Sequence, residues 1–427
     1  MRKFCIHTMG CKANQFESAV IVENLLKSGF EEVKSSDDCD FYILNSCTVT
    51  QKSDNEALYL IRNAKHKNPE IITVLTGCLA QVEKDNLLKN DYVDIVLGND
   101  EKLNISKYLL ENETCKISDI MQRSDFTKIV LSDTTKTRAN VKIQDGCDNR
   151  CSYCIIPFAR GKSRSADVQF ILDEINSLSK RGFNEVVLTG IHIGQWGKDF
   201  GMTLLDLLEQ IEAKTTILRY RLGSLNPLEI TDEMLDFLSK SKKFCPHFHL
   251  SLQSACDKTL RSMNRFYETD FYLAQIDKIN QMFELPFLGS DIITGFAGET
   301  EEDFKITVEN LKKSGLSKIH TFPYSRREGT VGDKSLNQVP EKVKEERANI
   351  VKAISRQKYD EFVSKNIGRQ VEVLIEKHPD KNTGYLKGVT RNYLTLFLDS
   401  KEEKLLNTVS SAKIVKYENG KIFAEIK

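Results

Sequence analysis

The sequence has no net charge, no long apolar run and no pattern typical of a leader segment, and each absence argues against some classes of protein. Lysine and arginine together number 61, and aspartate and glutamate also number 61, so any surface for a polyanion must be local. No apolar stretch approaches the length of a membrane span, and the opening residues MRKFCIHTMGCKANQ contain no apolar core of the signal-peptide kind. We therefore expect a cytoplasmic protein with no membrane partner.

The eleven cysteines are the most informative residues in this chain of 427. In a chain without an export signal they are expected to bind metal or to do chemistry rather than to form disulfides. Six of them fall into two patterned groups of three. The other five share no pattern and are interpreted as structural: Cys5, Cys39, Cys115, Cys245 and Cys256.

The segment QDGCDNRCSYCIIPFARG, from Gln144 to Gly161, lacks a fourth cysteine. Its cysteines, Cys147, Cys151 and Cys154, have the spacing Cys-x3-Cys-x2-Cys. A structural zinc site and most electron-transfer iron–sulfur clusters take four protein ligands. Three thiolates on a four-iron cluster would leave one iron open for a substrate or cofactor. A zinc or redox trio is the alternative interpretation, and it leaves the missing ligand unexplained.

The amino-terminal part alternates strand-like and helix-like stretches, which predicts a parallel α/β domain. KFCIHTM, DFYILN and EIITVLT are predicted strands, and QFESAVIVENLLKSG is a predicted helix that ends at Gly29. The three strands lead into Cys11, Cys47 and Cys78 respectively. Because the carboxyl ends of parallel strands meet at one sheet edge, we expect these cysteines to lie close together. The alternative is that each is an ordinary buried cysteine.

The sequence of the rest of the chain predicts a polar linker over residues 112–136, then a second α/β unit and a small all-β barrel. Six strand patterns alternate with helical ones, which predicts a partial (βα)6 barrel with its active site at the carboxyl ends of the strands. Cys147 follows the first of these strands. The six patterns are RANVKIQ, NEVVLTG, LRYRLGS, HFHLSLQ, FLGSDIITGF and KIHTFPYS. A long charged helix then leads to the short strands of the final sixty or so residues.

The loop with Tyr153 just before its last cysteine resembles the cluster loop of the radical S-adenosylmethionine (SAM) superfamily. In that superfamily SAM chelates the open iron, and its one-electron cleavage releases a 5′-deoxyadenosyl radical. Together with the amino-terminal trio and the carboxyl-terminal strands, nearly the whole chain resembles the methylthiotransferase family. The likeness is greatest to the branch that modifies threonylcarbamoyl-adenosine in tRNA, through the segments TMGCKANQFES, NSCTVT, GCLAQ, CIIPFARGKSRS and FPYSRREGT.

This resemblance implies an enzyme with a methylthiotransferase domain (1–112), a radical SAM core (133–362) and a TRAM RNA-binding domain (364–427). It implies conversion of N6-threonylcarbamoyladenosine beside the anticodon to its 2-methylthio derivative, with two 4Fe-4S clusters and SAM as cofactors. One cluster belongs to each cysteine trio. The implied partners are the tRNA anticodon loop and an electron donor such as flavodoxin or ferredoxin. Isopentenyladenosine in tRNA or a ribosomal protein are alternative substrates, and a non-enzymatic zinc- and RNA-binding protein is an alternative of another class.

Residues at strand ends near the cysteine loop are predicted to contact SAM, although each could instead be an ordinary turn residue. These are Tyr153, Thr189, Gly190, Ser224 and Gln253. In GFAGETEEDF, Thr300 and Asp303 are predicted to cap a helix rather than to bind the cofactor. Four histidines on strands or turns show no ligand spacing and are given no role: His192, His247, His249 and His320.

Basic residues near the barrel mouth are predicted to contact RNA phosphates, with a solvated surface turn as the alternative. They are Arg160, Lys162, Arg164, Arg326 and Arg327. In the final module Tyr385, Arg391 and Tyr393 are candidates for stacking on bases, with packing inside a small barrel as the alternative.

Overall fold

The computed structural model describes residues 1–130 and 136–427, so the predicted start of the second domain at residue 133 lies outside the described residues. An all-parallel sheet of order β2-β1-β3-β4-β5-β6 forms the amino-terminal part. Its strands are β1 (Lys3–Thr8), β2 (Glu31–Glu32), β3 (Phe41–Ser46), β4 (Ile72–Gly77), β5 (Ile95–Leu97) and β6 (Cys115–Lys116). Its helices are α1 (Lys12–Lys27), α2 (Gln51–Lys67), α3 (Cys78–Val82), α4 (Lys84–Leu87) and α5 (Ile105–Leu110).

Helices cover both faces of this sheet, which explains the apolar character of its central strands. Every residue of β3 is buried, and separate apolar clusters lie on the two faces. The predicted linker is partly wrong, because β6 pairs with β5 and completes the sheet. Ile120, farther along the same segment, is also buried. Because this stretch is mostly polar, the sequence pattern did not indicate that β6 and Ile120 pack against the rest of the protein.

The second part is a partial barrel of parallel strands, as predicted. One sheet has the order β11-β10-β7 and the next has the order β12-β13-β14-β15. Only Gly223 separates β11 from β12, so the third barrel strand bends there and pairs with a different neighbour on each side. The strands are β7 (Arg138–Lys142), β8 (Gln144–Asp145), β9 (Arg164–Ser165), β10 (Glu185–Thr189), β11 (Arg219–Leu222), β12 (Ser224–Leu225), β13 (His247–Leu250), β14 (Phe287–Thr294) and β15 (Lys318–Pro323).

Amphipathic helices pack on the outside of this barrel around its largest apolar cluster. They are α7 (Val168–Lys180), α8 (Leu204–Lys214), α9 (Asp232–Lys240), α10 (Asp257–Ser262), α11 (Thr269–Met282), α12 (Glu301–Lys313) and α14 (Glu341–Asn366). Two short helices lie apart from this cluster: α6 (Ile156–Arg160) follows the cysteine loop, and α13 (Val331–Lys334) follows β15. The predicted cap of α12 is confirmed, because Thr300 and Asp303 form a reciprocal capping box. Antiparallel pairing of β8 with β9 closes the neck of the cysteine loop.

A closed five-stranded barrel of order β16-β17-β18-β20-β19 ends the chain, as predicted. Its strands are β16 (Gln370–Ile375), β17 (Leu386–Thr390), β18 (Thr395–Leu398), β19 (Val409–Glu418) and β20 (Lys421–Ile426). It packs against the amino-terminal ends of the partial-barrel strands, away from the cysteine loop. There Arg219 and Arg221, both paired with the buried Glu185, donate to carbonyls of Val389 and Thr390. Within the described ranges, no helix is long and apolar enough to cross a membrane.

Candidate active site

The first three cysteines stand at neighbouring strand ends, where the sequence predicts them. Cys47 directly follows β3, Cys78 begins α3 after β4, and Cys11 caps α1 just after β1. The turn before Cys11 runs so close to Cys47 that a Cβ on Gly10 would lie 2.8 Å from the Cys47 sulfur. Gly10 has φ +86°, a conformation that glycine adopts without strain. Burial, followed by the nearby Cys78, raises the pKa of Cys47 to about 11.

Buried polar side chains tie these three turns together. Asn14 Nδ2 donates to Met9 O at 3.0 Å and to Ser46 O at 2.8 Å, which links the first turn to the second. Ser46 Oγ donates to Thr76 O at 2.5 Å, which links the second turn to the third. The sheet edge is therefore preorganised around the cysteines. Hydrogen bonds of this kind hold cysteines in position to bind a metal centre.

The second trio lies on the loop between β8 and α6, and two side chains contact its sulfurs. His192 Nδ1 is 3.4 Å from Cys147 Sγ, and its Nε2 is 2.5 Å from Glu229 Oε1. Arg265 Nη1 is 3.6 Å from Cys151 Sγ. Burial alone would lower the pKa of His192, but its hydrogen bonds to Cys147 and Glu229 raise it to about 9. Burial raises the pKa of Cys154 to about 12.

A cavity of about 200 Å³ opens beside this second trio. Its walls include three of the residues that were predicted to contact SAM, namely Tyr153, Ser224 and Gln253. Gln253 has φ +74°, which is unusual for a residue with a side chain. It is held there because its N–H donates to Asp291 O at 2.8 Å while its carbonyl accepts from Ile293 N at 2.8 Å. Backbone strain of this kind is concentrated at functional sites.

The other two predicted SAM contacts, Thr189 and Gly190, are not among the residues that line this cavity. Thr189 is buried and its Oγ1 donates to Val141 O at 3.3 Å, which ties β10 to β7. Gly190 packs so tightly that a Cβ there would lie 2.8 Å from Gln144 O. These residues shape the turn, and the next two, Ile191 and His192, line the cavity instead.

A second cavity of about 270 Å³ lies between the two cysteine groups. Tyr153, Cys154 and Gln253 line both cavities, so the two share a wall. Its far side is formed by Val49 and Thr50, which follow Cys47 in the amino-terminal part. Another wall comes from the carboxyl-terminal halves of β14 and β15 and the two residues after β15, through Asp291, Ile293, Phe322, Pro323, Tyr324 and Ser325.

Family models match both parts of the chain that carry these cysteines. Uncharacterized protein family UPF0004 matches residues 3–98, and the Radical SAM superfamily matches residues 141–311. The chain is 37% identical to the threonylcarbamoyladenosine tRNA methylthiotransferase MtaB of Aquifex aeolicus, over 87% of this chain and 92% of that protein. It is 33% identical to the MtaB protein of Bacillus subtilis, over 97% of this chain and 94% of that one. The chain belongs to the radical SAM methylthiotransferase family.

Two further likenesses bear on branch and fold within this family. The tRNA-2-methylthio-N(6)-dimethylallyladenosine synthase of Clostridium perfringens is 31% identical, over 99% of this chain and 97% of that protein. The solved structure of the radical SAM methyltransferase TsrM from Kitasatospora setae superposes with a TM-score of 0.55 at 13% identity. It covers 78% of this chain and 77% of that one, and it supports the fold alone.

Three of the five arginine and lysine residues predicted to meet RNA are buried in this methylthiotransferase, so those predictions are wrong. Arg160, Arg164 and Arg327 are 1%, 2% and 4% exposed. They pair with Glu17, Asp145 and Asp54 respectively. The other two, Lys162 and Arg326, are exposed and remain available to a ligand.

Arg391 and Tyr393 likewise face the protein interior rather than RNA. Arg391 Nη2 donates to Lys242 O at 2.7 Å and to Phe244 O at 2.6 Å, across the contact between the two barrels. The ring of Tyr393 lies 4.1 Å from that of His247. Packing, the alternative considered from the sequence, therefore explains both residues.

The donor set suits an iron–sulfur cluster better than a single metal ion. Among the described residues, no three His, Cys, Asp or Glu side chains are arranged to hold one ion. Ligands of a cluster bind different irons and stand farther apart than ligands of one ion. Each trio also has basic side chains against its sulfurs: Arg160 Nε is 3.3 Å from Cys78 Sγ, and His192 and Arg265 contact the second trio. Such contacts orient cysteine ligands and place hydrogen-bond donors beside their sulfurs.

Proposed function

We propose that this chain transfers a methylthio group to C2 of N6-threonylcarbamoyladenosine beside the anticodon of tRNA. Its MtaB-type relatives carry that activity in their names. One structural observation supports it most strongly: the 270 Å³ cavity is lined both by residues that follow Cys47 and by Cys154. A base in that cavity would lie between the two cysteine groups. The C2–H bond of adenine is inert to polar substitution, and cofactors supply chemistry that side chains cannot.

Two 4Fe-4S clusters and SAM are the cofactors in this proposal. Cys147, Cys151 and Cys154 would hold one cluster, and Cys11, Cys47 and Cys78 would hold the other. When bound, these groups supply a 5′-deoxyadenosyl radical on one side of the cavity and sulfur and methyl on the other. Tyr153, Ser224 and Gln253 would orient SAM in the 200 Å³ cavity. His192 contacts the sulfur of Cys147, and Arg265 contacts the sulfur of Cys151.

The lining of the larger cavity suits an extruded base. Ile156, Ile293 and Phe322 give it apolar walls against which the flat faces of adenine can pack and which exclude water. Asp291 supplies a carboxylate there, and His249 Nε2 holds that carboxylate at 2.9 Å. A base in an anticodon loop can leave its stack at low cost, because the strand there is not paired.

A cross-strand row on the outside of the carboxyl-terminal barrel supports an RNA-binding role for this module. Lys387 pairs in register with Phe397, Phe397 with Phe423, and Phe423 with Lys416, across β17, β18, β20 and β19. Lys416 Nζ lies 5.0 Å from the centre of the Phe423 ring. Aromatic rings flanked by lysines suit stacking on bases beside phosphates. Tyr385, 6.4 Å from Phe423, extends this surface.

Lys162 and Arg326 are the proposed contacts to RNA phosphates or to the threonylcarbamoyl carboxylate near the mouth of the partial barrel, because both are exposed. A flavodoxin or ferredoxin is the proposed electron donor, since cleavage of SAM consumes one electron. A tRNA substrate locates the proposed reaction in the cytoplasm.

The test is a reaction with anticodon stem-loops that carry threonylcarbamoyl-adenosine, isopentenyl-adenosine or plain adenosine at the same position. Reconstituted protein, SAM and reductant are added without air, and the nucleosides are analysed by mass spectrometry. We expect the methylthio product from the threonylcarbamoyl substrate alone. Methylthiolation of the isopentenyl substrate alone would overturn the branch assignment. A Cys147→Ala variant is the control for adventitious chemistry.

A further inference from the structure

The side chain of Arg160 connects the two cysteine groups. Arg160 ends α6, the short helix that follows Cys154, yet its side chain reaches into the amino-terminal part. Its Nε lies 3.3 Å from Cys78 Sγ. Its Nη1 and Nη2 bind the Glu17 carboxylate at 2.5 and 3.0 Å, and Nη2 also contacts Asn14 Oδ1. The guanidinium is therefore fixed on several sides and is 1% exposed.

The backbone next to Arg160 is also fixed to Cys78. Asn99 Nδ2 donates to Ala159 O at 2.7 Å and lies 3.9 Å from Cys78 Sγ. Lys102 Nζ in turn donates to Asn99 Oδ1 at 2.7 Å. Cys78 thus has two N–H donors beside its sulfur, and one of them comes from the radical SAM half.

The charges that ion pairs join around Arg160 do not balance. Ion pairs join four cations to two carboxylates, which leaves an excess of two positive charges: Lys102, Lys142, Arg160 and Arg164 against Glu17 and Asp145. All six side chains are less than 10% exposed. Burying an unpaired charge is costly, so a negative group is expected beside this set. Because Arg160 contacts the Cys78 sulfur, we expect the negative group at that cysteine.

We propose that Arg160 is a positioning residue that sets the reduction potential of a cluster held by Cys11, Cys47 and Cys78. Adding an electron makes a thiolate-ligated cluster more negative. A buried cation with an N–H···S contact stabilises that reduced state, so Arg160 raises the potential. Because Arg160 also ends the helix that follows Cys154, it holds the two cluster loops at a fixed separation.

The experiment is a redox titration followed by electron paramagnetic resonance, in full-length protein whose Cys147, Cys151 and Cys154 are alanine. Only the amino-terminal cluster then titrates. Arg160→Gln should shift the potential to more negative values, and Arg160→Lys, which keeps the charge but not the planar fork, should shift it less. Arg164→Gln is the matched control. It removes a buried cation from the same ion-pair set, and within the described part of the chain it has no cysteine contact.

An unchanged potential in Arg160→Gln, or a shift no larger than that of Arg164→Gln, would overturn the proposal. If the Arg160→Gln protein does not retain iron, the test rests on Arg160→Lys. An unchanged reduction potential in Arg160→Lys would then also overturn the proposal. The inference rests on the proposed function only in requiring a cluster at this trio. Absence of iron from the parent triple variant would contradict that function, whereas bound iron with an unmoved potential contradicts this inference alone.

Discussion

Arg327 Nη1 lies 2.6 Å from Asp54 Oδ2, and this ion pair joins the segment after β15 to the residues that follow Cys47. Arg327 Nη2 also donates to Thr48 Oγ1 at 2.6 Å. The pair fixes the amino-terminal part against the partial barrel, close in sequence to Thr50 and Ser325, which line the larger cavity. Its neighbour Arg326 is exposed and contacts only the edge of α13, through Asp333, among the described residues.

The two adjacent arginines are therefore expected to behave differently when replaced. Arg327→Ala leaves Asp54 buried without its partner, which typically costs about 3–5 kcal/mol of folding free energy. Arg326→Ala should leave stability unchanged but weaken pairing with the carboxylate of a threonylcarbamoyl group. The measurements are urea unfolding and methylthiolation of the modified stem-loop. Arg261→Ala, at another exposed arginine, is the control. Equal unfolding midpoints for the two neighbours would contradict this account.

Cluster content tests the two cysteine groups separately. Anaerobically reconstituted protein should contain about eight irons and eight sulfides, since each cluster carries about four of each. Replacing Cys147, Cys151 and Cys154 by alanine should halve the iron and abolish SAM cleavage. Replacing Cys11, Cys47 and Cys78 should remove the other half and leave some SAM cleavage. Full iron in this second variant would mean that the first three cysteines are structural.

The outer row of the carboxyl-terminal barrel should contribute to tRNA affinity. Deleting the whole module is a poor test, because it would expose the buried Arg219–Glu185 pair at the interface. Replacing Phe397 and Phe423 by alanine leaves that interface intact and removes the stacking surface. Each stacked base is worth about 1–3 kcal/mol, so tRNA binding should weaken by about tenfold or more. SAM cleavage should not change. Phe271→Ala, on the exposed side of α11, is the control, and equal affinities in both proteins would refute the assignment.

The interface between the two barrels should make stability depend on pH. Burial, followed by the nearby Arg221, lowers the pKa of His247 well below its ordinary 6.5. The unfolded chain takes up this proton below about pH 6.5 and the folded chain does not, so stability is full above that pH and falls as the pH decreases. His247→Gln should therefore lose about 1.4 kcal/mol less than the parent between about pH 7.5 and about pH 5.5.

The readout for this comparison is the free energy of unfolding in urea at the two pH values. His7→Gln is the control, because His7 is exposed. It should follow the parent protein at both pH values. The same acid-induced loss in all three proteins would show that His247 does not contribute.

Much of the fold was predictable, because it rests on local patterns. Apolar runs located β1, β3 and β4 of the amino-terminal sheet and the six strands of the partial barrel, but not the short β2, β5 and β6. A cysteine after each of three neighbouring strands indicated a common edge. Side-chain environments were not predictable in the same way. Arg160 and Lys162 are two residues apart in a basic turn, yet the first is buried on Glu17 and the second is exposed. Only the packing of the amino-terminal sheet on the partial barrel brings Glu17 there.

The histidine missed at the cysteine loop has the same explanation. His192 shows no metal-ligand spacing in the sequence, and its partners Cys147 and Glu229 lie far away on either side. Its position just after the end of β10, where active-site residues gather in such barrels, was the one available signal. Thr189 and Gly190 shared that signal and turned out to hold the turn, so position alone could not separate the three.

Nucleoside analysis of cellular tRNA tests the central claim most directly. A strain without the gene is compared with the same strain carrying the parent gene or its Cys147→Ala version. The account predicts that 2-methylthio-threonylcarbamoyladenosine disappears on deletion, with threonylcarbamoyl-adenosine in its place, and returns only with the parent gene. Loss of the methylthio derivative of isopentenyl-adenosine, with the threonylcarbamoyl product intact, would contradict it.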